Sequence, residues 1–185
     1  MIIWFDMDGV LCDMGSLLCA EYNRQYNTQL TPKDITKWEL PEEMKAIYRH
    51  SPGFFKRLSP IPGMLDLVNE LSKKHEIHIA TDPGRRSWIA ADKMEWLCFY
   101  NLNHIPVTLT ERKDLLIGNI LIDDAPHHAQ NFKGFSILVD APYNQDVKES
   151  IFLIRAKGND IAASIKTIVE ELEYADSQLP AFDTA

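Results

Sequence analysis

The sequence has few of the features that mark cross-linked, membrane-spanning or polyanion-binding proteins. Only three cysteines occur, Cys12, Cys19 and Cys98, with no paired spacing and no CxxC motif. That pattern excludes a disulfide framework and reads as reduced thiols in a cytoplasmic chain. Positive charge is also scarce: 19 Lys and Arg against 27 Asp and Glu leave a formal net charge of −8. A nucleic-acid backbone needs a basic face, so nucleic acid is not an expected partner. No apolar run approaches the roughly 20 residues of a membrane helix, and no basic region precedes the first apolar residues. Neither a membrane partner nor a signal peptide is therefore expected. Internal repeats and low-complexity segments are missing too. What remains is the expectation of a soluble intracellular protein of one domain, at 185 residues long enough for a real core. The sequence assigns no oligomeric state.

The chain is densest in information at its start. Ile2, Ile3, Trp4 and Phe5 form an apolar run without alternation, the pattern of a short strand covered on both faces of a parallel sheet. Asp6 and Asp8 follow, two positions apart, and then Gly9, which lets the backbone turn sharply away. In α/β sheets the chemistry sits just beyond the carboxyl ends of the strands. Two carboxylates this close repel each other unless a cation or a shared proton relieves them. A solvated Asp-Gly turn would show the same residues, so the rest of the chain has to decide between the two readings.

Residues 15–26 read as a helix, and Thr31-Pro32 as a helix start with Thr31 as N-cap. After the break at Pro41 a second helix runs to residue 50 and stops at Ser51-Pro52-Gly53. No strand pattern appears before Pro62. A helical insert of about 45 residues is too long for an ordinary loop, and residues 14–61 are read as a small cap over the strand edge. Beyond Pro62, helix and strand patterns alternate. Helices are expected over 64–74, 86–99, 126–132 and 160–174, strands over 77–81, 105–109, 119–124, 135–139 and 151–154. Pro106 places the strand at 105–109 near an edge. Residues 176–185 read as a loose tail. The expected fold is α/β: a doubly wound, Rossmann-like, mostly parallel sheet from residues 1–13 and 62–175, with a small helical cap inserted after the first strand.

Three of the expected strands end in polar residues of one kind: Asp6 and Asp8, Thr81, and Asp123 with Asp124. In a parallel sheet these ends gather in a single crevice. Such a cluster of carboxylates needs a cation, and hard oxygen ligands at an open site favour Mg²⁺. A phosphate there would need a further positive group, for which Lys113, ten residues before Asp123, is the candidate.

Taken in order, Asp6-Met7-Asp8-Gly9-Val10, Thr81, Lys113 and Asp123-Asp124 resemble the four motifs of the haloacid dehalogenase superfamily of phosphohydrolases. A narrower likeness extends into the insert. The opening through Leu11-Cys12-Asp13, Gly53-Phe54-Phe55-Lys56-Arg57-Leu58 and Pro60-Ile61-Pro62-Gly63-Met64 resemble the 5′(3′)-deoxyribonucleotidases. The resemblance implies Mg²⁺-dependent hydrolysis of nucleoside monophosphates, preferentially pyrimidine deoxyribonucleotides of the dUMP and dTMP type, with such a nucleotide as the small-molecule partner. It implies Asp6 as nucleophile, forming an aspartyl-phosphate, and Asp8 as acid and then base. The metal ligands it implies are Asp6, Asp8 through its backbone carbonyl, and Asp124, with Asp123 assisting or orienting. Thr81 and Lys113 would hold the phosphoryl oxygens. Tyr48, Trp38 and Met14 are the candidates for contact with base and sugar, although aromatics in a small cap also serve as its core.

Two positions depart from the family pattern. Asp82 stands where better-known members carry Ser, and Glu111 where they carry Arg; Arg85 and Arg86 could compensate. His127 and His128 are expected at the surface or behind the acids. A phosphatase of the same superfamily acting on another small phosphomonoester, such as a sugar phosphate, and a non-catalytic binding module of the same fold are the alternatives.

Overall fold

The computed structural model describes residues 1–178. Six strands, β1 (Ile2–Phe5), β2 (Glu76–Thr81), β3 (Val107–Leu109), β4 (Ile120–Asp123), β5 (Phe135–Val139) and β6 (Leu153–Ala156), form one sheet in the order β3-β2-β1-β4-β5-β6. Every pairing is parallel. Among the described residues six α-helices accompany them: α1 (Met14–Tyr26), α2 (Glu42–Arg49), α3 (Met64–Leu71), α4 (Ser87–Phe99), α5 (Pro126–Asn131) and α6 (Ile161–Ser177). The fold is the α/β, Rossmann-like arrangement that the alternating patterns suggested.

Burial on both faces explains the unbroken apolar runs. Successive strand residues point to opposite faces. Ile3 and Phe5 of β1 join Ile120, Ile122 and Ile137 in the principal apolar cluster, whereas Trp4 and Leu121 belong to a smaller one. The order of the strands reverses at β1, which lies between β2 and β4. Ligands of open α/β sheets bind beyond the carboxyl ends at this kind of switch point.

The segment between β1 and α3 holds α1, α2 and two 3₁₀ turns, Pro32–Asp34 and Phe55–Arg57. Its apolar residues Leu18, Met44, Ile47, Phe54 and Phe55 are part of the same cluster as Ile3 and Phe5. The insert is clamped from α4: Trp96 Nε1 donates to Leu58 O at 2.8 Å, and Asp92 Oδ2 accepts from Gly53 N at 2.7 Å.

Several boundaries differ from the sequence reading, each for a local reason. The helix start at Thr31 gives only one 3₁₀ turn. There Asp34 Oδ2 accepts from both Thr31 N and Thr31 Oγ1, at 2.8 and 2.7 Å, and Ile35 is already out of the helical region. The strand at 105–109 shortens to β3 at the sheet edge, with Pro106 contributing only its carbonyl, to Ile79 N at 2.9 Å. The last strand lies two residues later than 151–154, and Ile151 and Phe152 are exposed. The final helix continues through Asp176 and Ser177, so the tail does not begin at 176; the rest of that expected tail, from 179, lies outside the described residues. Among the described residues, no helix is long and apolar enough to cross a membrane.

Candidate active site

Asp6 N donates to Ile122 O at 2.9 Å, so the ladder of β1 and β4 runs one residue past β1 and carries Asp6 to the rim. There the chain folds back, with Leu11 N and Cys12 N both donating to Met7 O at 2.9 and 3.0 Å. Gly9 sits at φ +79°, and a Cβ on it would stand 2.2 Å from Asp124 Oδ2. A left-handed turn pressed against the neighbouring strand's carboxylate admits only glycine.

Lys113 is buried, reached through a short 3₁₀ turn, Lys113–Leu115, ahead of β4. Its Nζ donates to Asp6 Oδ1 at 2.5 Å and to Asp123 Oδ2 at 2.7 Å. Asp123 Oδ1 also accepts from Ala125 N at 2.8 Å, and His128 Nδ1 lies 3.3 Å from Oδ2. Asp124 Oδ2 accepts from the Tyr143 hydroxyl. Both oxygens of Asp123 are thus engaged, whereas Asp124 Oδ1 receives no protein donor among the described residues.

Crowding and burial set the charge states. Burial pushes Asp6 up to about 6, with Lys113 opposing and Asp123 and Asp8 adding to the rise. Burial, then repulsion from Asp6 and Asp123, drives Asp124 well above the usual carboxylate range. Burial also works against the charge on Asp123, but Lys113 and His128 outweigh it and bring it down to about 2. Burial opposes the charge on Lys113 as well, yet Asp123 and Asp6 hold it above its ordinary value. One ammonium does not balance three buried carboxylates. Asp6, Asp123 and Asp124 each offer an oxygen within 4.8 Å of the others. A donor set made only of carboxylate oxygens suits a hard divalent cation and not a thiophilic one.

The second half of the site was not legible beforehand. Lys93 of α4 is buried to 2% exposure, and its Nζ reaches Asp8 Oδ2 at 2.6 Å, Thr81 Oγ1 at 2.9 Å and Asp82 O at 2.7 Å. It joins the ends of β1 and β2, so Thr81 meets a lysine of the next helix. The signal was its spacing: with Ile89, Trp96 and Leu97 it occupies positions i+4, i+7 and i+8 of one buried face. Tyr143 was also missed, although Pro142–Asn144 follows β5 and therefore emerges at the same rim.

These groups floor a cavity of about 480 Å³ that includes Asp6, Asp8, Lys93, Lys113 and Asp124. That volume is in the range of small-molecule sites. Met14, Trp38 and Tyr48 all line it. Trp38 is 44% exposed, with its ring edge-on to His127 and Tyr143 at 5.3 and 5.5 Å. Tyr48 packs on Phe54 and Phe55 at 6.2 and 5.9 Å, so part of it is core. Asp82 and Glu111 line the same cavity, whereas Arg85 and Arg86 line an adjoining one of about 580 Å³. His127 and His128 border the first cavity, with His128 behind Asp123.

Comparisons with known proteins place the chain in a family. A family model described as 5′ nucleotidase, deoxy (Pyrimidine), cytosolic type C protein matches residues 1–159. A 5′(3′)-deoxyribonucleotidase of Bacillus subtilis is 33% identical over 151 residues, 78% of this chain and 88% of that protein. One from Clostridium acetobutylicum is 31% identical over 149 residues, 76% and 82% of the two chains. Among solved structures, a haloacid dehalogenase-like hydrolase from Streptococcus pneumoniae superposes with a TM-score of 0.59 at 13% identity, covering 92% of this chain and 97% of its own. A second hydrolase of that family, from Deinococcus radiodurans and holding phosphate and sodium, gives 0.60 at 10% identity, covering 93% and 96%. At such identities these two show the fold alone. With its first 159 residues matched by the family model and a relative 33% identical over 78% of its length, the chain belongs to the deoxy (pyrimidine) cytosolic type C 5′ nucleotidase family, phosphomonoester hydrolases on the haloacid dehalogenase fold.

Proposed function

We propose that the protein is a Mg²⁺-dependent cytoplasmic phosphatase that hydrolyses pyrimidine deoxyribonucleoside monophosphates through an aspartyl-phosphate on Asp6. The observation that carries the reading is the convergence of Asp6, Asp8, Lys93, Lys113 and Asp124 on the floor of one cavity whose wall includes aromatic side chains. An Asp6 oxygen attacks phosphorus, the ester P–O bond breaks, and Asp8 gives a proton to the departing sugar oxygen. Asp8 then takes a proton from water as that water attacks phosphorus. The bond to Asp6 breaks and inorganic phosphate leaves. The Asp6 and Asp124 carboxylates and the Asp8 carbonyl, with Asp123 behind them, would hold Mg²⁺, which would supply charge neutralisation for the phosphoryl oxygens.

The two lysines divide the remaining work. Lys113 touches Asp6 and stands where phosphoryl charge accumulates. Lys93 holds the Asp8 carboxylate in the free protein. An incoming phosphoryl oxygen competes for Lys93 and Thr81 and loosens the hold on Asp8, leaving its carboxyl free to face the departing oxygen. Trp38, Tyr48 and Met14 form the wall against which base and sugar pack.

A second reading has one observation in its favour. Asp82 and Glu111 add acceptors to the cavity and would suit the hydroxyls of a sugar phosphate. A panel of phosphomonoesters, assayed with and without Mg²⁺, separates the two. Preference for dUMP or dTMP supports the nucleotide reading, and indifference to the base supports the sugar phosphate. In the same assay Asp6→Asn is expected to abolish turnover while retaining the native circular dichroism spectrum. Undiminished turnover in that variant excludes Asp6 as the nucleophile.

A further inference from the structure

We infer that Tyr143 is a positioning residue for the metal-binding carboxylate of Asp124, and that through Trp38 it couples metal affinity to the seating of the insert. The inference rests on the reading above, in which Asp124 holds Mg²⁺. Its basis is a set of contacts that fix the turn carrying Tyr143. Tyr143 lies in the 3₁₀ turn after β5, and its hydroxyl donates to Asp124 Oδ2. The adjacent Asn144 is fully buried, and its Nδ2 donates to Asp124 O at 2.9 Å and to Val139 O at 2.8 Å. Arg155 of β6 in turn donates to Asn144 Oδ1 at 2.5 Å and to Asn144 O at 2.9 Å. The turn is therefore tied to the backbone of Asp124 and anchored from the next strand.

The carboxylate is restrained on one side only. Tyr143 and Gly9 both crowd Oδ2, and Oδ1 is free of protein donors among the described residues. The hydroxyl thus selects one oxygen of Asp124 for the cation and holds its plane, the role that outer hydrogen bonds play at carboxylate metal sites. Its other neighbour comes from the insert, for Trp38 lies edge-on to the Tyr143 ring. A shift of Trp38 on substrate entry displaces the ring that orients Asp124. By linkage, the cation then biases the position of Trp38 to the same extent.

The test titrates the metal-free protein with Mg²⁺ alone, by calorimetry, in four forms: wild type, Tyr143→Phe, Trp38→Ala and the double variant. Tyr143→Phe keeps the ring and loses only the hydroxyl. It is expected to weaken Mg²⁺ binding by about 10-fold or more. Trp38→Ala is expected to weaken it less, and the double variant no further than Tyr143→Phe alone, since the coupling runs through the hydroxyl. The urea unfolding midpoint of Tyr143→Phe is expected to stay close to that of the wild type, because the ring and its packing are kept, whereas a merely structural role would lower it. Wild-type affinity in Tyr143→Phe, or a loss of affinity matched by a loss of stability, overturns the positioning role. Additive losses in the double variant overturn the coupling. A wild-type protein that binds no Mg²⁺ removes the metal reading itself, and the inference with it.

Discussion

Lys93 brings a positive charge onto a helix face shared with the buried apolar groups Ile89, Trp96 and Leu97 and with the buried acid Asp92. A lysine there is stable only with its charge answered, and Asp8 at 2.6 Å answers it while Thr81 and the Asp82 carbonyl accept its remaining protons. Lys93→Met keeps the chain length and removes the ammonium. It is expected to lower kcat/KM by on the order of 100-fold, the scale of losing one preorganised donor. Steady-state kinetics on the preferred nucleotide check this, and an unchanged kcat/KM would take Lys93 out of the site. Gly9 presents the opposite case, a residue used for what it lacks. At φ +79° with Asp124 Oδ2 in the way, Gly9→Ala has to move either the turn or the carboxylate. The expected result is loss of activity with the secondary structure retained, followed by turnover and far-ultraviolet circular dichroism.

Among the elements, α4 serves two ends at once. One part of its buried face sends Lys93 to the strand ends, and Asp92 and Trp96 hold the insert through Gly53 N and Leu58 O. Trp96 is 1% exposed, so its removal leaves a large cavity and an unpaired carbonyl together. Trp96→Ala is expected to cost on the order of 3–5 kcal/mol of stability, measurable as a lower midpoint of urea unfolding. Because the same residue fixes the insert, the KM for the nucleotide should rise as well. The 3₁₀ turn at Pro142–Asn144 works in a comparable way on the other side of the rim, joining Asp124 to β6 through Asn144 and Arg155.

For the molecule as a whole, packing of α6 near the end of α3 buries His75, whose ring nitrogens have no hydrogen-bond partner among the described residues. Glu173 of α6 lies 3.9 Å away. Burial, and then the N-terminal ammonium, lower its pKa from 6.5, and Glu173 opposes them. The folded protein therefore keeps His75 neutral while the unfolded chain binds a proton near 6.5. The associated stability is present above that pH and is lost as the pH falls below it. His75→Leu is expected to reduce the loss of unfolding midpoint between neutral and mildly acidic pH. A variant that loses as much as the wild type would show that other groups carry the effect.

The sequence by itself determined the apolar strands, the acids that end them and the order in which they appear. These are local facts: an unbroken run such as Ile2–Phe5 and a glycine after it act through neighbouring residues. Lys113 could be singled out because it lies ten residues from Asp123 in the motif order. Tertiary structure decided the rest. Lys113 meets Asp6 across 107 positions only because β1 and β4 are adjacent. The helical period carries Lys93 onto one face with Ile89, Trp96 and Leu97, but no local pattern says that Asp8 and Thr81 lie opposite it. Tyr143 reaches Asp124 from a turn after β5, and Trp38 reaches Tyr143 from a loop of the insert. Hydrogen-bond partners of that kind depend on which elements pack together, whereas strand and turn patterns are set within a few residues.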